Sequence, residues 1–165
     1  MSATARFAIP LLAAGQAQKE IYHNEAVQTL ETLVCPAVEE GPRASPPSSP
    51  PVGACYIVAT SPTGAWTGKA LNLAAYTAGD WRFVAPLEGV TTYVQSSSEW
   101  ATFSSGAWEL GVLRGSNVTI SGQQVLGGRA AAIPGPSGGG VIDVEARSAV
   151  GQILTALRLH GLIET

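Results

Sequence analysis

Few residues in this chain have the type and spacing that chemistry needs. Four carboxylates, Asp80, Glu88, Glu99 and Glu109, stand beside aromatic residues or in turn-like stretches. A pair flanking a glycosidic bond can serve as acid and base in its hydrolysis. Order along the chain sets no separation in space, however, and solvated turn acids are the plainer reading. The stretch GAWTGKA, residues 64–70, approaches a phosphate-binding loop and then departs from it. Gly64 lies one residue too close to Gly68, and Ala70 stands where Ser or Thr would hold magnesium. GPSGGG, residues 135–140, follows no strand pattern and reads as a turn. There is no G-x-S-x-G, no H-E-x-x-H and no paired-cysteine metal motif, and His23 and His160 lie at opposite ends of the chain. Cys35 and Cys55 read as buried thiols, with a disulfide across the intervening Pro-rich segment as the alternative. No catalytic residue, metal or cofactor is predicted, and the chain does not read as an enzyme.

The aromatic residues are more informative. Eight of the eleven fall between Trp66 and Trp108. A small β-module needs large side chains to fill its core, so most of these are structural. An exposed minority could stack on the C–H face of a sugar ring, flanked by polar hydrogen-bonding groups. Strand alternation in WRFVAP puts Trp81 and Phe83 on one face as a core pair. Trp66 and Trp100, each adjoining a turn (SPTGAW and SSSEW), are then the candidates for glycan contact, with Asn72 and Gln95 as polar neighbours.

The elements that would position these residues follow from patterning. The class is α+β: an N-terminal helical arm, a small antiparallel aromatic-rich β-domain and a C-terminal packing helix. Residues 1–38 form the arm, with a helix from about Gly15 to Val34 that ends at Cys35-Pro36. Val27, Leu30 and Val34 make its apolar stripe, with His23 one step before. Five prolines in residues 39–53 exclude helix and central strand, which predicts a semi-rigid connector. Residues 54–113 carry five or six short strands between turn signals rich in Gly, Ser and Asp. Residues 114–142 hold one hairpin, NVTISGQQVLGG, within a Gly/Pro-rich loop. Residues 143–165 form the last helix: Asp143 is the N-cap, Val150, Ile153 and Leu157 make a seam, and Gly161 with Leu162 supplies a Schellman ending.

Charged residues are only 13% of the chain, against about 25% in an ordinary protein, and the net charge is -3. A surface with so few charges tolerates burial against other chains. The Lys and Arg residues are scattered singly, which excludes a basic stripe for nucleic acid. No apolar run approaches the length of a membrane span. The N-terminal apolar patch is a weak match to a signal peptide, because Pro10 breaks it.

The opening segment also carries a pattern: Pro10, Leu12, residues 13–19 and Asn24-Glu25-Ala26 match P-L-A-A-G-Q-A-Q-K-x-x-x-x-N-E-A. It resembles a domain-of-unknown-function family found in structural proteins of phages, prophages and gene transfer agents. The likeness continues through PPVGACYIVATSPTGAWTGK, GDWRFVAPLEGVTTYV and the closing LRLHGLI, nearly the whole chain. The resemblance implies a tail-fibre or head-spike component of a phage-like particle, assembled in the bacterial cytoplasm, in which this chain is the family domain alone. It implies no catalytic residues. It implies partners: other copies of the chain, with a trimer favoured; tail or capsid proteins; and host surface polysaccharide. Gln16, Gln18, His23, Asn24, Val27 and Leu30 would then be an assembly seam, since polar seam residues fix register and copy number. Val150, Ile153 and Leu157 would be a second. A free-standing carbohydrate-binding module is the alternative reading, and a glycan-degrading enzyme a third.

Overall fold

A computed structural model describes residues 3–15, 19–34, 37–141 and 143–164. The chain divides into two compact units, Met1–Val112 and Leu113–Thr165. The class is α+β, as the patterning predicts.

In the first unit, helix α1 (Lys19–Val34) precedes eight strands: β1 (Ala37–Val38), β2 (Glu40–Arg43), β3 (Cys55–Val58), β4 (Leu73–Thr77), β5 (Asp80–Val84), β6 (Thr91–Val94), β7 (Glu99–Ser104) and β8 (Ala107–Leu110). They form two four-stranded sheets, ordered β1-β6-β7-β8 and β2-β3-β4-β5. Six of the strands match the runs expected from sequence, and their hairpins are antiparallel. The sheets are nevertheless mixed, because β1 pairs with β6 and β2 with β3 in parallel.

Those parallel pairs come from one continuous stretch. Residues 37–43 leave the first sheet after Val38 and enter the second at Glu40. At the crossing, Glu39 N–H donates to the Cys55 carbonyl (2.8 Å) and the Glu39 carbonyl accepts from Ser96 N–H (3.1 Å). The expected connector, residues 39–53, is therefore in part a strand. Pro42 is tolerated because β2 lies at the sheet edge, where a missing N–H leaves no ladder bond broken.

Val38, Val94, Ala101 and Trp108 of the first sheet share a core with Cys55, Ile57, Leu73 and Ala75 of the second. A smaller layer covers the other face of the second sheet: Ala54, Tyr56, Val58 and Ala74 pack with Trp66, Trp81 and Phe83. Strand β3 is thus buried on both faces, which explains why CYIV runs apolar without alternation. Cys55 lies in the main core; Cys35 falls outside the described residues. Trp108 reaches from β8 to donate to the Leu71 carbonyl (2.7 Å), joining the two sheets. Two-residue turns close β7 to β8 and, in the second unit, β9 (Val118–Ile120) to β10 (Gln123–Leu126). Ser105-Gly106 and Ser121-Gly122 take positive φ at both central positions, as the twist of tight hairpins demands.

The second unit holds that hairpin and helix α2 (Val144–Leu159). The Asp143 carboxylate accepts from Ala146 N–H (2.8 Å), the expected N-cap. Leu162 N–H donates to Leu157 (2.9 Å) and Gly161 N–H to Arg158 (3.0 Å), the expected Schellman ending. Leu154 is the buried residue of α2 among the described residues, while the expected assembly residues Val150 and Ile153 are 42% and 59% exposed and Leu157 is half-buried.

At Gly41 the crossing strand runs close against its neighbour. A Cβ there would lie 2.5 Å from Ile57 Cβ and 2.9 Å from the Ile57 backbone N and O. Ile57 is fully buried and has no room to retreat. Gly41→Ala is expected to lower unfolding stability by about 1–3 kcal/mol through overpacking, measured by urea denaturation.

Candidate functional site

The outward face of the β1-β6-β7-β8 sheet carries the most ligand-like arrangement in the first unit. Tyr93 of β6 lies directly opposite Trp100 of β7. Their rings meet edge-on, with centroids 5.5 Å apart and planes at 66°. Trp100 is 46% exposed. In the neighbouring row, Thr91 pairs with Thr102 and Thr102 with Glu109, so alternation puts these three on the same face as the aromatic pair. The result is an aromatic platform beside two hydroxyls and a carboxylate, a combination suited to stacking a sugar ring and hydrogen-bonding its hydroxyls. Gln95 follows β6 at this end of the sheet, where its N–H donates to Val38 (3.0 Å), and its side chain is exposed. Two of the four expected glycan residues, Trp100 and Gln95, thus share one hairpin.

The other two belong elsewhere. Trp66 is fully buried, not exposed beside its turn. It ends a 3₁₀ turn (Gly64–Trp66) that folds over the second sheet, and its ring meets Tyr56 at 5.8 Å and Trp81 at 5.1 Å. The turn is what buries it: the bend before the ring aims it inward. Asn72 enters β4, half-buried, and its carbonyl accepts from Val58 N–H (2.9 Å). Trp81 and Phe83 do share one face, partly buried against Trp66. Glu109 reads in sequence as a turn acid, not as part of this face, and Tyr93, Thr91 and Thr102 were missed by sequence reasoning. The signal for them was the alternation in TTYV and EWATFS, but only the register of β6 against β7 aligns it.

Two of the other candidate carboxylates bond within turns. Asp80 Oδ1 accepts from Trp81 N–H (2.7 Å) and Glu88 from Ser105 N–H (2.9 Å). Among the described residues no three His, Cys, Asp or Glu side chains cluster as metal ligands would. No described helix is long and apolar enough to cross a membrane. Burial, reinforced by the Glu39 carboxylate, pushes the Tyr56 phenol above its ordinary value of 10.0, so it stays neutral in the core.

Helix α1 reverses the polarity usual for a helix on a protein surface. Its buried residues are Glu31 and Thr32, with Asn24, Val27 and Gln28 half-buried. Its exposed residues include Tyr22 (81%), Leu30 (57%) and Val34 (66%), along with His23. Of the apolar stripe read from sequence, Leu30 and Val34 thus face out and Val27 is half-buried. The cause is the N-terminal segment, whose backbone lies on the helix and needs partners. Glu31 accepts from the N–H groups of Arg6 (3.1 Å) and Phe7 (2.7 Å). Asn24 accepts from Leu12 N–H (2.9 Å) and donates to the Leu12 carbonyl (3.1 Å). Arg6 donates to Gly53 (2.7 Å) and Ala37 (2.9 Å), and Glu25 pairs with Arg82 of β5 at 2.7 Å. Gln16 and Gln18 lie outside the described residues. A cavity of about 190 Å³ remains between segment, helix and sheet, walled by Thr4, Leu11, Gln28, Glu31 and Tyr76. It is smaller than the roughly 300 Å³ at which ligand pockets begin.

These features define an α+β protein whose first unit pairs two sheets, with one open aromatic sheet face and a helix that turns apolar side chains to solvent. The chain belongs to a family described as a protein of unknown function (DUF2793), whose model matches residues 23–109, more than half of its length. That span runs from α1 through β8. No curated protein matches the chain.

The two tryptophans separate core from surface. Trp66→Ala is expected to cost about 3–5 kcal/mol of stability, whereas Trp100→Ala should stay within about 1 kcal/mol of the parent. Parallel urea melts of the two variants check both values.

Proposed function

We propose that the protein is a structural component of a phage-like particle, a tail fibre or head spike, that attaches the fibre and contributes to host-surface polysaccharide contact. The observation that carries the attachment role is the reversed helix. A helix on the surface of a solitary protein turns its polar residues to water. In α1, by contrast, Tyr22, Leu30 and Leu33 point outward while Glu31 and Thr32 are buried. A contiguous apolar stripe rimmed by polar residues marks a protein-binding surface.

The signature residues support the same reading. Asn24 and Glu25 hold Leu12 and Arg82, so the motif that resembles particle proteins is also the motif that fastens the N-terminal segment and aims α1 outward. Other copies of the chain, as a trimer, belong to this proposal. Its second reading, a free-standing carbohydrate-binding module, draws on the Tyr93–Trp100 platform alone. The two differ in whether α1 has a partner.

Leu30→Glu places a charge on the apolar stripe at a position already open to water. The variant is expected to fold as the parent does and to be absent from purified particles, scored by immunolabelled electron microscopy against a tagged parent. Normal incorporation would count against attachment through α1. For the sheet face, Trp100→Ala should weaken binding to host capsular polysaccharide by about tenfold, the loss of one stacking contact, with the melting temperature within a few degrees of the parent. Isothermal titration on the parent and the variant gives the comparison.

A further inference from the structure

Residues 113–164 form a compact unit with almost no interior. Among the described residues of this stretch, Leu154 and Ile163 are the buried ones. Order comes instead from polar ties. Arg158 donates to the Ile133 carbonyl (2.6 Å), Arg129 to Ile163 (3.0 Å), and Arg147 to Pro136 and Gly138. Ala130 N–H donates to Leu162 (2.9 Å), and Glu164 N–H to Ala130 (2.8 Å). Two buried side chains do not offset the entropy of ordering a segment this long, so the unit depends on burying more surface.

The surface is there to bury. Twelve large apolar side chains in the unit are exposed, among them Ile120 (59%), Val125 (51%), Leu126 (50%), Ile153 (59%) and Leu159 (83%). At roughly half a side chain each, they present on the order of 600 Å² of apolar area. One partner in a standard interface contributes about 800 Å², somewhat over half of it apolar. The area matches.

The hairpin says what kind of surface fits. β9 and β10 form a two-stranded sheet, so each strand has an unpaired edge within it. Val118, Ile120 and Leu126 gather on one of its faces. An isolated hairpin is marginal in water and gains stability from a third strand or an apolar lid. A second copy of the same hairpin and helix offers both. Charge does not oppose the approach: Arg114, Arg129, Arg147 and Arg158 nearly balance Asp143, Glu145 and Glu164.

We infer that residues 113–164 are a self-association module, in which the β9–β10 hairpin and the exposed face of α2 pack against the same elements of further copies. The inference rests on the oligomeric part of the proposed function and on none of its particle or polysaccharide parts.

The test uses the full chain. Light scattering of the parent should give an integer multiple of 16.9 kDa. Ile120→Lys and Ile153→Lys, both at exposed positions, should each reduce that mass to one chain. All four tryptophans precede residue 113, so tryptophan fluorescence reports separately that the first unit remains folded. A parent mass of one chain overturns the inference and the oligomeric part of the proposed function together. A multimeric parent whose mass neither substitution changes overturns the inference alone, since the copies are then joined elsewhere. Amide exchange of the unsubstituted chain adds a measurement independent of any variant. Protection in Val118–Ile120 and Gln123–Leu126 should fall on about a hundredfold dilution, while that of Cys55–Val58 should hold. Protection of the hairpin that does not respond to dilution overturns the inference.

Discussion

The first unit depends on one stretch of chain serving two sheets. Residues 37–43 pair with β6 on one side of Glu39 and with β3 on the other, so the sheets cannot slide apart without losing one of these two pairings. The crossing closes one edge of the core and places Val38 inside it. It also fixes how near β2 comes to β3, because the approach at Gly41 leaves no space for a side chain. Arg6 then bonds the carbonyl of Ala37 at the start of the crossing, so the N-terminal segment is registered against the same point. Strands that switch sheets are a general way to make such corners, and their cost is a local break in side-chain alternation.

That anchoring explains the polarity of α1. A backbone segment laid along a helix brings N–H and C=O groups that need partners once water is excluded, and these are supplied by Glu31 and Asn24. Polar side chains are thereby committed to the interior. Apolar ones occupy the remaining face, which is what an assembly surface requires and a solitary surface avoids. The outward sheet face follows a different logic. There Tyr93 and Trp100 support one another edge-on, keeping a ring available without a pocket around it.

The two units are ordered by different means. The first has a two-sided sheet, with Ile57 and Val58 fully buried on opposite faces of β3. The second is held by arginines donating to backbone carbonyls and by well-formed helix ends. Capping and turn geometry specify local shape with little burial, which leaves most large apolar side chains of this segment exposed.

What the sequence determined by itself was local. Asp143 and the Gly161-Leu162 ending define α2 through bonds within a few residues, and the Ser-Gly pairs close their hairpins for the same reason. The six strands between Cys55 and Leu110 were legible from alternation and turn residues, and so was the shared face of Trp81 and Phe83. Tertiary structure decided whatever depended on a distant partner. The edge strand at Glu40–Arg43 reads as a Pro-rich linker until β3 is placed beside it. Trp66 and Trp100 are alike in sequence, each next to a turn, yet one is fully buried and the other is 46% exposed, because only the first is folded over a sheet face. The inward face of α1 was likewise unreadable: apolar periodicity predicts burial only when the neighbour is apolar, and here the neighbour is backbone.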